Sequence, residues 1–371
     1  MSPGMWHWSC CCGGGGVGVG YLFAQHYNSR KPVVVTITNG GDISYDALDP
    51  TGFDAAYNTG AFPATCAVYS LMFMYRDNTT RVRVGHIGIA GVWGYAAATL
   101  DGASYTRPTF DNDDRIHEDP TGKIRAYLGN AHSESIGTSN VDYTDLGTIF
   151  AGYQYALDPT TWQRWQSCET INRIDGVDYY QAEMWKFPSG TAEILETYLD
   201  GSRFGARKAG ALMDGRVWAL WSGTPALRFY LRRGISDWTS VDMPHVATVL
   251  DAHTAQIGDT EVVVVLVRLQ YNFVYPSSYD YSYYYYVIDT STMSVTSSLV
   301  ASTTAPEGMH YGAITSTEEN VPCVVLTGDA DGEQLTFYLG SGSSWTPYTT
   351  AHAGGFYRMT LSVAWQPYLG L

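Results

Sequence analysis

The feature that most constrains this chain is a recurrence. Leu227-Arg-Phe-Tyr-Leu-Arg-Arg-Gly-Ile-Ser-Asp-Trp-Thr239 is matched by Leu335-Thr-Phe-Tyr-Leu-Gly-Ser-Gly-Ser-Ser-Trp-Thr346, with one residue deleted and the two leucines 108 positions apart. The pentapeptide Ala-Leu-Asp-Pro-Thr begins at Ala47 and again at Ala156, an offset of 109. Tyr286-Val-Ile-Asp-Thr-Ser-Thr-Met293 keeps the aromatic start, the apolar pair, the Asp and the Thr of Tyr155-Ala-Leu-Asp-Pro-Thr-Thr-Trp162. Self-similarity at a fixed period marks a chain built from stacked supersecondary units. Because Asp289 falls between the paired leucines, the unit is about half the offset.

Each copy reads as an alternating apolar strand, a turn and a returning strand. An Asp before Pro-Thr or Thr-Ser accepts from backbone amides two residues on and fixes such a turn. Candidate turns fall at Asp49, Asp101, Asp158, Pro188–Gly190, Arg232–Gly234, Asp289 and Gly340–Gly342. In the C-terminal half, apolar strands precede the hairpins at Val217–Trp221, Val262–Leu269 and Val324–Thr327. Still earlier short strands stand at Gly210–Met213, Thr254–Ile257 and Gly312–Thr315. Four strands in roughly 45–55 residues make one blade of a β-propeller. Tyr286-Val-Ile-Asp-Thr-Ser-Thr resembles a YVTN-type blade, and Ala-Leu-Asp-Pro-Thr-Gly resembles the outer hairpin of quinoprotein-type blades. The hairpin at Trp345 is similar to the tail of a sialidase Asp-box. These resemblances imply an all-β chain, a β-propeller of about six to seven four-stranded blades over residues 33–371. The alternative is a tandem β-sandwich. Gly355–Trp365 is strand-like and is expected to supply a missing strand to the first blade.

Composition agrees. Apolar residues make up 45% and charged residues 15%, as in a folded rather than a disordered chain. Aromatic residues reach 14%, with 29 Tyr, and Gly reaches 39, which suits strands and turns. The net charge of −15 repels phosphate backbones, so nucleic acid is not an expected partner. No segment has the length and hydropathy of a membrane span. No secretory leader is read at the N-terminus, so cytoplasmic synthesis followed by carriage into an assembly is the expectation.

Residues 1–32 stand outside the repeat and read as an extended anchoring arm. Trp6, His7, Trp8, Cys10, Cys11 and Cys12 precede four glycines, a combination suited to an arm ordered by a neighbouring subunit. Adjacent cysteines lack the usual zinc-ligand spacing, so packed thiols come before zinc or an intersubunit disulfide. Cys66, Cys168 and Cys323 read as buried free thiols.

Candidate sites are few. Asp111, Asp113 and Asp119 lie in the densest acidic stretch, where oxygen ligands at alternate positions could hold calcium, although a solvated loop is the plainer reading. Gly328-Asp-Ala-Asp-Gly-Glu333 reads as a hairpin turn. Arg203, Arg207, Arg216, Arg228, Arg232 and Arg233 are numerous, but no motif joins them to a nucleophile. Tyrosines crowd residues 271–286. Alternation turns Tyr283 and Tyr285 to one face and Tyr284 and Tyr286 to the other, which assigns about half of them to packing. Tyr271, Tyr275, Tyr279, Tyr281 and Tyr284 are the candidate receptor surface, since aromatic surfaces stack on sugars and anchor proteins.

The functional expectation is a structural or adhesion component of a virus particle, such as a bacteriophage tail, fibre or capsid-associated propeller. Its partners would be other virion or appendage subunits through the arm, and host-surface glycan or protein through the tyrosines. A glycan-active propeller enzyme and an intracellular scaffold are the alternatives; no catalytic motif supports the former.

Overall fold

The computed structural model describes, apart from short gaps, residues 22–25, 29–57, 164–199, 205–306 and 312–351. Between 64 and 157 it describes the strands alone, and beyond 351 the pairs 362–363 and 368–369.

The first sheet holds β1 (Leu22–Gln25), β2 (Pro32–Ile37) and β3 (Ile43–Ala47). The second holds β4 (Ala64–Ala67), β5 (Ser70–Arg76), β6 (Val82–Ile87) and β7 (Trp93–Gly94), and the third β8 (Arg115–Glu118), β9 (Ile124–Leu128) and β10 (His132–Ile136). The fourth is β11 (Tyr155–Leu157), β12 (Arg164–Ile174), β13 (Val177–Phe187) and β14 (Thr191–Leu199). The fifth is β15 (Gly205–Ala211), β16 (Val217–Ser222), β17 (Leu227–Gly234) and β18 (Asp237–Asp242). The sixth is built on β19 (Thr248–Ile257), β20 (Thr260–Val274), β21 (Ser278–Asp289) and β22 (Val295–Pro306). The seventh is β23 (Gly312–Ser316), β24 (Pro322–Thr327), β25 (Gln334–Ser341) and β26 (Ser344–Ala351). Then come β27 (Ser362–Val363) and β28 (Tyr368–Leu369). Apart from β27 and β28, which join sheets out of sequence order, each sheet is an open antiparallel meander of consecutive strands, and the fold class is all-β, of the β-propeller type.

Two compact units are formed. One is Met1–Asp145 with Thr315–Leu339 and Pro347–Gly370; the other is Leu146–Ile314 with Gly340–Thr346. In the first unit, Val33, Val35 and Ile37 of β2 are buried on one face. β1 pairs with β2 on one side and with Ser362–Val363 on the other. The C-terminal stretch thus completes the first sheet, as the sequence suggests. The arm boundary is corrected: Leu22–Gln25 is a sheet strand, and only residues 1–21 precede it.

In the second unit the physical basis of blade stacking is plain. Along β16, Val217, Ala219 and Trp221 face one way and Trp218 and Leu220 the other, and all five are buried. The first set packs with Trp165, Ala182 and Met184 of the fourth sheet. The second packs with Val263, Val265, Val267, Tyr286 and Ile288 of the sixth. A strand buried on both faces needs a continuous apolar run rather than alternation, and Val262–Val267 supplies one. β15 lies against both β11 and β19, so the first strands of the three sheets adjoin.

The hairpins explain the recurrence and correct part of it. Leu227 pairs with Ser222 and Leu335 with Thr327, so both repeated segments open the third strand of a sheet. At the third-to-fourth turn of the sixth sheet, Asp289 Oδ1 accepts from Ser291 N–H at 2.7 Å and Thr292 N–H at 3.1 Å. The two Ala-Leu-Asp-Pro-Thr copies are not equivalent. Asp158 follows the first strand of its sheet, whereas Asp49 follows the last and pairs with Lys31 Nζ at 2.6 Å. The pentapeptide therefore does not mark one position in the blade. Asp101 lies outside the described residues.

Candidate functional site

The tyrosine-rich stretch forms a long hairpin. β20 has 15 residues, against 6 in each of the equivalent strands β16 and β24. Its buried run ends at Val267, and the seven residues beyond it extend the hairpin by about 24 Å at ~3.4 Å per residue. A bulge between Tyr271 and Phe273 bends this extension. Tyr271 is 43% exposed, and its hydroxyl lies 3.0 Å from Ser282 Oγ, which in turn lies 3.0 Å from Ser302 Oγ. These links tie three adjacent strands and hold the Tyr271 ring at the surface. Tyr279 is half-buried, 6.3 Å from the Tyr281 ring.

The remaining tyrosines are packing residues. Tyr285 meets Trp345 edge-on at 5.1 Å, while Tyr284 stacks on His245 at 4.5 Å and the Tyr286 hydroxyl bonds His245 Nδ1. The alternation expected from the sequence therefore holds, with odd and even tyrosines contacting different neighbours. Burial pushes the Tyr286 hydroxyl up to about 12. Two assignments to the receptor surface are corrected. Tyr281 is fully buried beneath Arg268, whose guanidinium lies 5.2 Å from its ring, because β21 already begins at Ser278 and Tyr281 is strand rather than loop. Tyr284 is half-buried against the core. Tyr275 lies outside the described residues.

Among the described residues, Arg216, Arg228 and Arg232 are engaged in ion pairs. Arg228 bridges Glu196 at 2.7 Å and Asp242 at 2.5 Å. The Tyr230 hydroxyl donates to the same Glu196, and burial, with that carboxylate, pushes the hydroxyl pKa up. Arg232 grips Glu193 through two nitrogens at 2.9 and 2.7 Å, stacks 4.9 Å from the Trp165 ring, and shares Glu193 with Trp238 Nε1 at 2.9 Å. Burial pushes the Glu193 carboxyl up, but Arg232 and Trp238 outweigh it and hold it below the usual range. The network joins β14 to β17 and β18. Arg216 pairs with its neighbour Asp214, and Arg203 lies outside the described residues.

A second polar group, not anticipated from the sequence, sits on the first strands. Asp251 is buried on β19 and receives Ala252 N–H at 3.0 Å, Ile314 N–H at 2.9 Å and His253 Nε2 at 2.8 Å, with Lys208 Nζ 3.8 Å away. Burial pushes its carboxyl up, but His253, Lys208 and the Ile314 amide hold it below the ordinary value. The only sequence signal was an Asp and a His two apart on one strand. Beside it, Trp218 Nε1 donates to Thr254 Oγ1 at 2.8 Å, which donates to the Ala211 carbonyl at 2.8 Å.

Trp6, His7, Trp8, Cys10, Cys11 and Cys12 lie outside the described residues, as do Asp111, Asp113 and Asp119 of the calcium expectation. Cys323 is a buried free thiol, pushed up by burial.

No protein-family model matches the sequence, and no curated protein matches it. Solved structures similar to this chain include three propeller or lectin proteins. The β-propeller domain of the Trilobed protease from Pyrococcus furiosus is 9% identical over 90% of this chain and 94% of that one, with a TM-score of 0.44. BP39L lectin from Burkholderia pseudomallei is 10% identical over 88% and 97%, at 0.46. SapL1 lectin, in complex with alpha methyl fucoside, is 15% identical over 80% and 98%, at 0.40.

Proposed function

We propose that this protein is a non-enzymatic recognition component, a β-propeller that presents the extended β20–β21 hairpin to a glycan or protein and is carried on a virus particle or appendage by its N-terminal arm. The observation that carries the recognition role is Tyr271, held at the surface of that hairpin by its hydroxyl link to Ser282. An exposed ring with a fixed orientation stacks on the apolar face of a sugar or docks in a protein pocket at low entropic cost. Support against catalysis comes from Glu193 and Glu196, which are bound by arginines. Support for the carrier role comes from sequence alone: Trp6 and Trp8 are large apolar anchors in a segment too glycine-rich to hold itself.

The test is binding of the full chain to a glycan array and to host-cell surfaces, with Tyr271→Ala and Tyr279→Ala beside the wild type. Binding that falls about tenfold or more in Tyr271→Ala supports the reading. Unchanged binding, or release of reducing ends from any glycan, overturns it. For the carrier role, the paired Trp6→Ala and Trp8→Ala variant should no longer copurify with particles. Undiminished incorporation defeats that half.

A further inference from the structure

Within the second unit the fifth sheet stops short of both its neighbours at one end. Arg228, the second residue of β17, binds Glu196, and Glu196 pairs with Ala182 of β13, so the start of β17 stands level with Gln181. Four residue pairs of β12 and β13 continue past that level, from Ile171–Tyr180 to Ile174–Val177. On the other side Trp218 donates to Thr254, which pairs with Val263, so Ser222 at the end of β16 stands level with Val267. There β20 and β21 continue for four pairs, from Arg268–Tyr283 to Tyr271–Asp280, before the bulge. Both neighbours therefore overhang the fifth sheet by about 14 Å at ~3.4 Å per pair. Packed sheets lie about 10 Å apart, so two sheets flanking a missing third stand ~20 Å apart, and the side chains of the two walls leave roughly half of that open.

The face that β20 and β21 turn toward this slot follows from the register. Val263, Val265 and Val267 pack with Phe229 and Leu231 of the fifth sheet, so alternation carries Leu269, Tyr271, Asp280 and Ser282 onto the same side. Exposure agrees: the Tyr271 ring is exposed there, whereas Tyr281, on the opposite face, is fully buried. At the foot of the wall His245 stacks on Tyr284, the pairing partner of Val267. Its Nδ1 is taken by the Tyr286 hydroxyl, which leaves Nε2 without a hydrogen bond among the described residues.

We propose, resting on the recognition role of Tyr271 given above, that the ligand is a neutral oligosaccharide held in this slot between the β12–β13 and β20–β21 overhangs. The walls are sheet faces, which offer side chains rather than a free strand edge, so an extended peptide gains no added-strand pairing here. They offer instead a ring for stacking and, from Asp280 and His245, hydrogen bonds to hydroxyls, which together grip a sugar on its apolar side and at its rim. A carboxylate accepts several hydrogen bonds at once, so contacts within the sheet do not exhaust Asp280. Charge narrows the class. Residues 171–180 hold Arg173 against Asp175 and Asp178, and the opposite wall adds Asp280, so sialylated or sulfated chains are repelled.

The experiment is binding of the full chain to an array of neutral oligosaccharides beside their sialylated forms, with titration calorimetry on the best neutral probe and a displayed peptide library as a third arm. Neutral probes should bind at least about tenfold tighter than sialylated ones. Leu269→Trp, which sets a large ring in the slot below Tyr271, should weaken that binding at least about tenfold. Gln270→Trp adds similar bulk one residue on, at an exposed position on the other face, and should leave binding unchanged. Circular dichroism checks the fold, and Asp280→Ala, with the same expected loss, replaces Leu269→Trp if that variant is unfolded. Preference for sialylated probes overturns the proposal. So does neutral-glycan binding that the folded slot variant leaves intact, or that Gln270→Trp lowers equally. A wild type that binds peptides alone overturns the oligosaccharide assignment and leaves the recognition role standing, whereas one that binds neither class overturns both.

Discussion

Tyr285 and Tyr286 are adjacent in one strand, are both buried, and should respond oppositely to loss of the hydroxyl. Tyr285 is 5% exposed, and its hydroxyl has no hydrogen-bond partner among the described residues. A buried polar group without a partner costs about 1–3 kcal/mol in lost hydration. Tyr285→Phe keeps the ring and its edge contact with Trp345, so it should stabilise the protein by about 1 kcal/mol. Tyr286 is fully buried, and its hydroxyl bonds His245 Nδ1. Tyr286→Phe removes that bond and should cost about 1 kcal/mol. The two variants would therefore differ by about 2 kcal/mol, or about 4 °C in Tm at ~2 °C per kcal/mol for a chain of this size. Thermal melting followed by far-UV circular dichroism resolves such a gap. A Tyr285→Phe variant that loses as much Tm as Tyr286→Phe would refute the reasoning, because the Tyr285 hydroxyl would then have a partner.

Two further outcomes follow from the first-strand packing. A Cβ on Gly210 would stand 2.4 Å from the Trp218 ring, and that ring is fixed by its bond to Thr254, so Gly210→Ala should cost about 1–3 kcal/mol, read as a lower urea midpoint. Asp251 is held below its ordinary value, so its stabilisation is full above the unfolded-state pKa of about 3.9 and is lost as pH falls through the lower folded value. Asp251→Asn should thus lower Tm at pH 7, and the gap to wild type should shrink toward pH 2; a gap independent of pH would show that the charge is not the cause.

How much was legible in the sequence depended on where the information is stored. The last three sheets could be read because their second strands, β16, β20 and β24, contain apolar runs followed by a recognisable hairpin. Leu227 and Leu335 mark the same place in two sheets for that reason. Ala-Leu-Asp-Pro-Thr does not mark one place in a blade, because its two copies begin in the last strand of one sheet, β3, and in the first strand of another, β11. The role of Leu22–Gln25 could not be read locally, since its partners lie at Pro32–Val35 and Ser362–Val363. The burial of Tyr281 is not legible locally, because nothing before Tyr283 announces how early β21 begins. The Asp251 group was hidden more deeply. It depends on a bulge between Val249 and Asp251 and on an amide 63 residues away.

The arginine network bears on what kind of propeller this is. Glycoside cleavage requires two carboxylates facing one bond, one of them free to give a proton. Glu193 and Glu196 do stand three apart on β14, and a Tyr hydroxyl does meet Glu196, which in outline suggests such a site. Their partners decide otherwise. Arg232 binds Glu193 through both guanidinium branches with 19% and 10% of the two side chains exposed, and a carboxylate held so strongly charged is a poor acid at neutral pH. These residues come from the outer strand β14 of one sheet and the third strand β17 of its neighbour, where they bind sheet to sheet. Glu193 and Glu196 are thus engaged in joining β14 to β17.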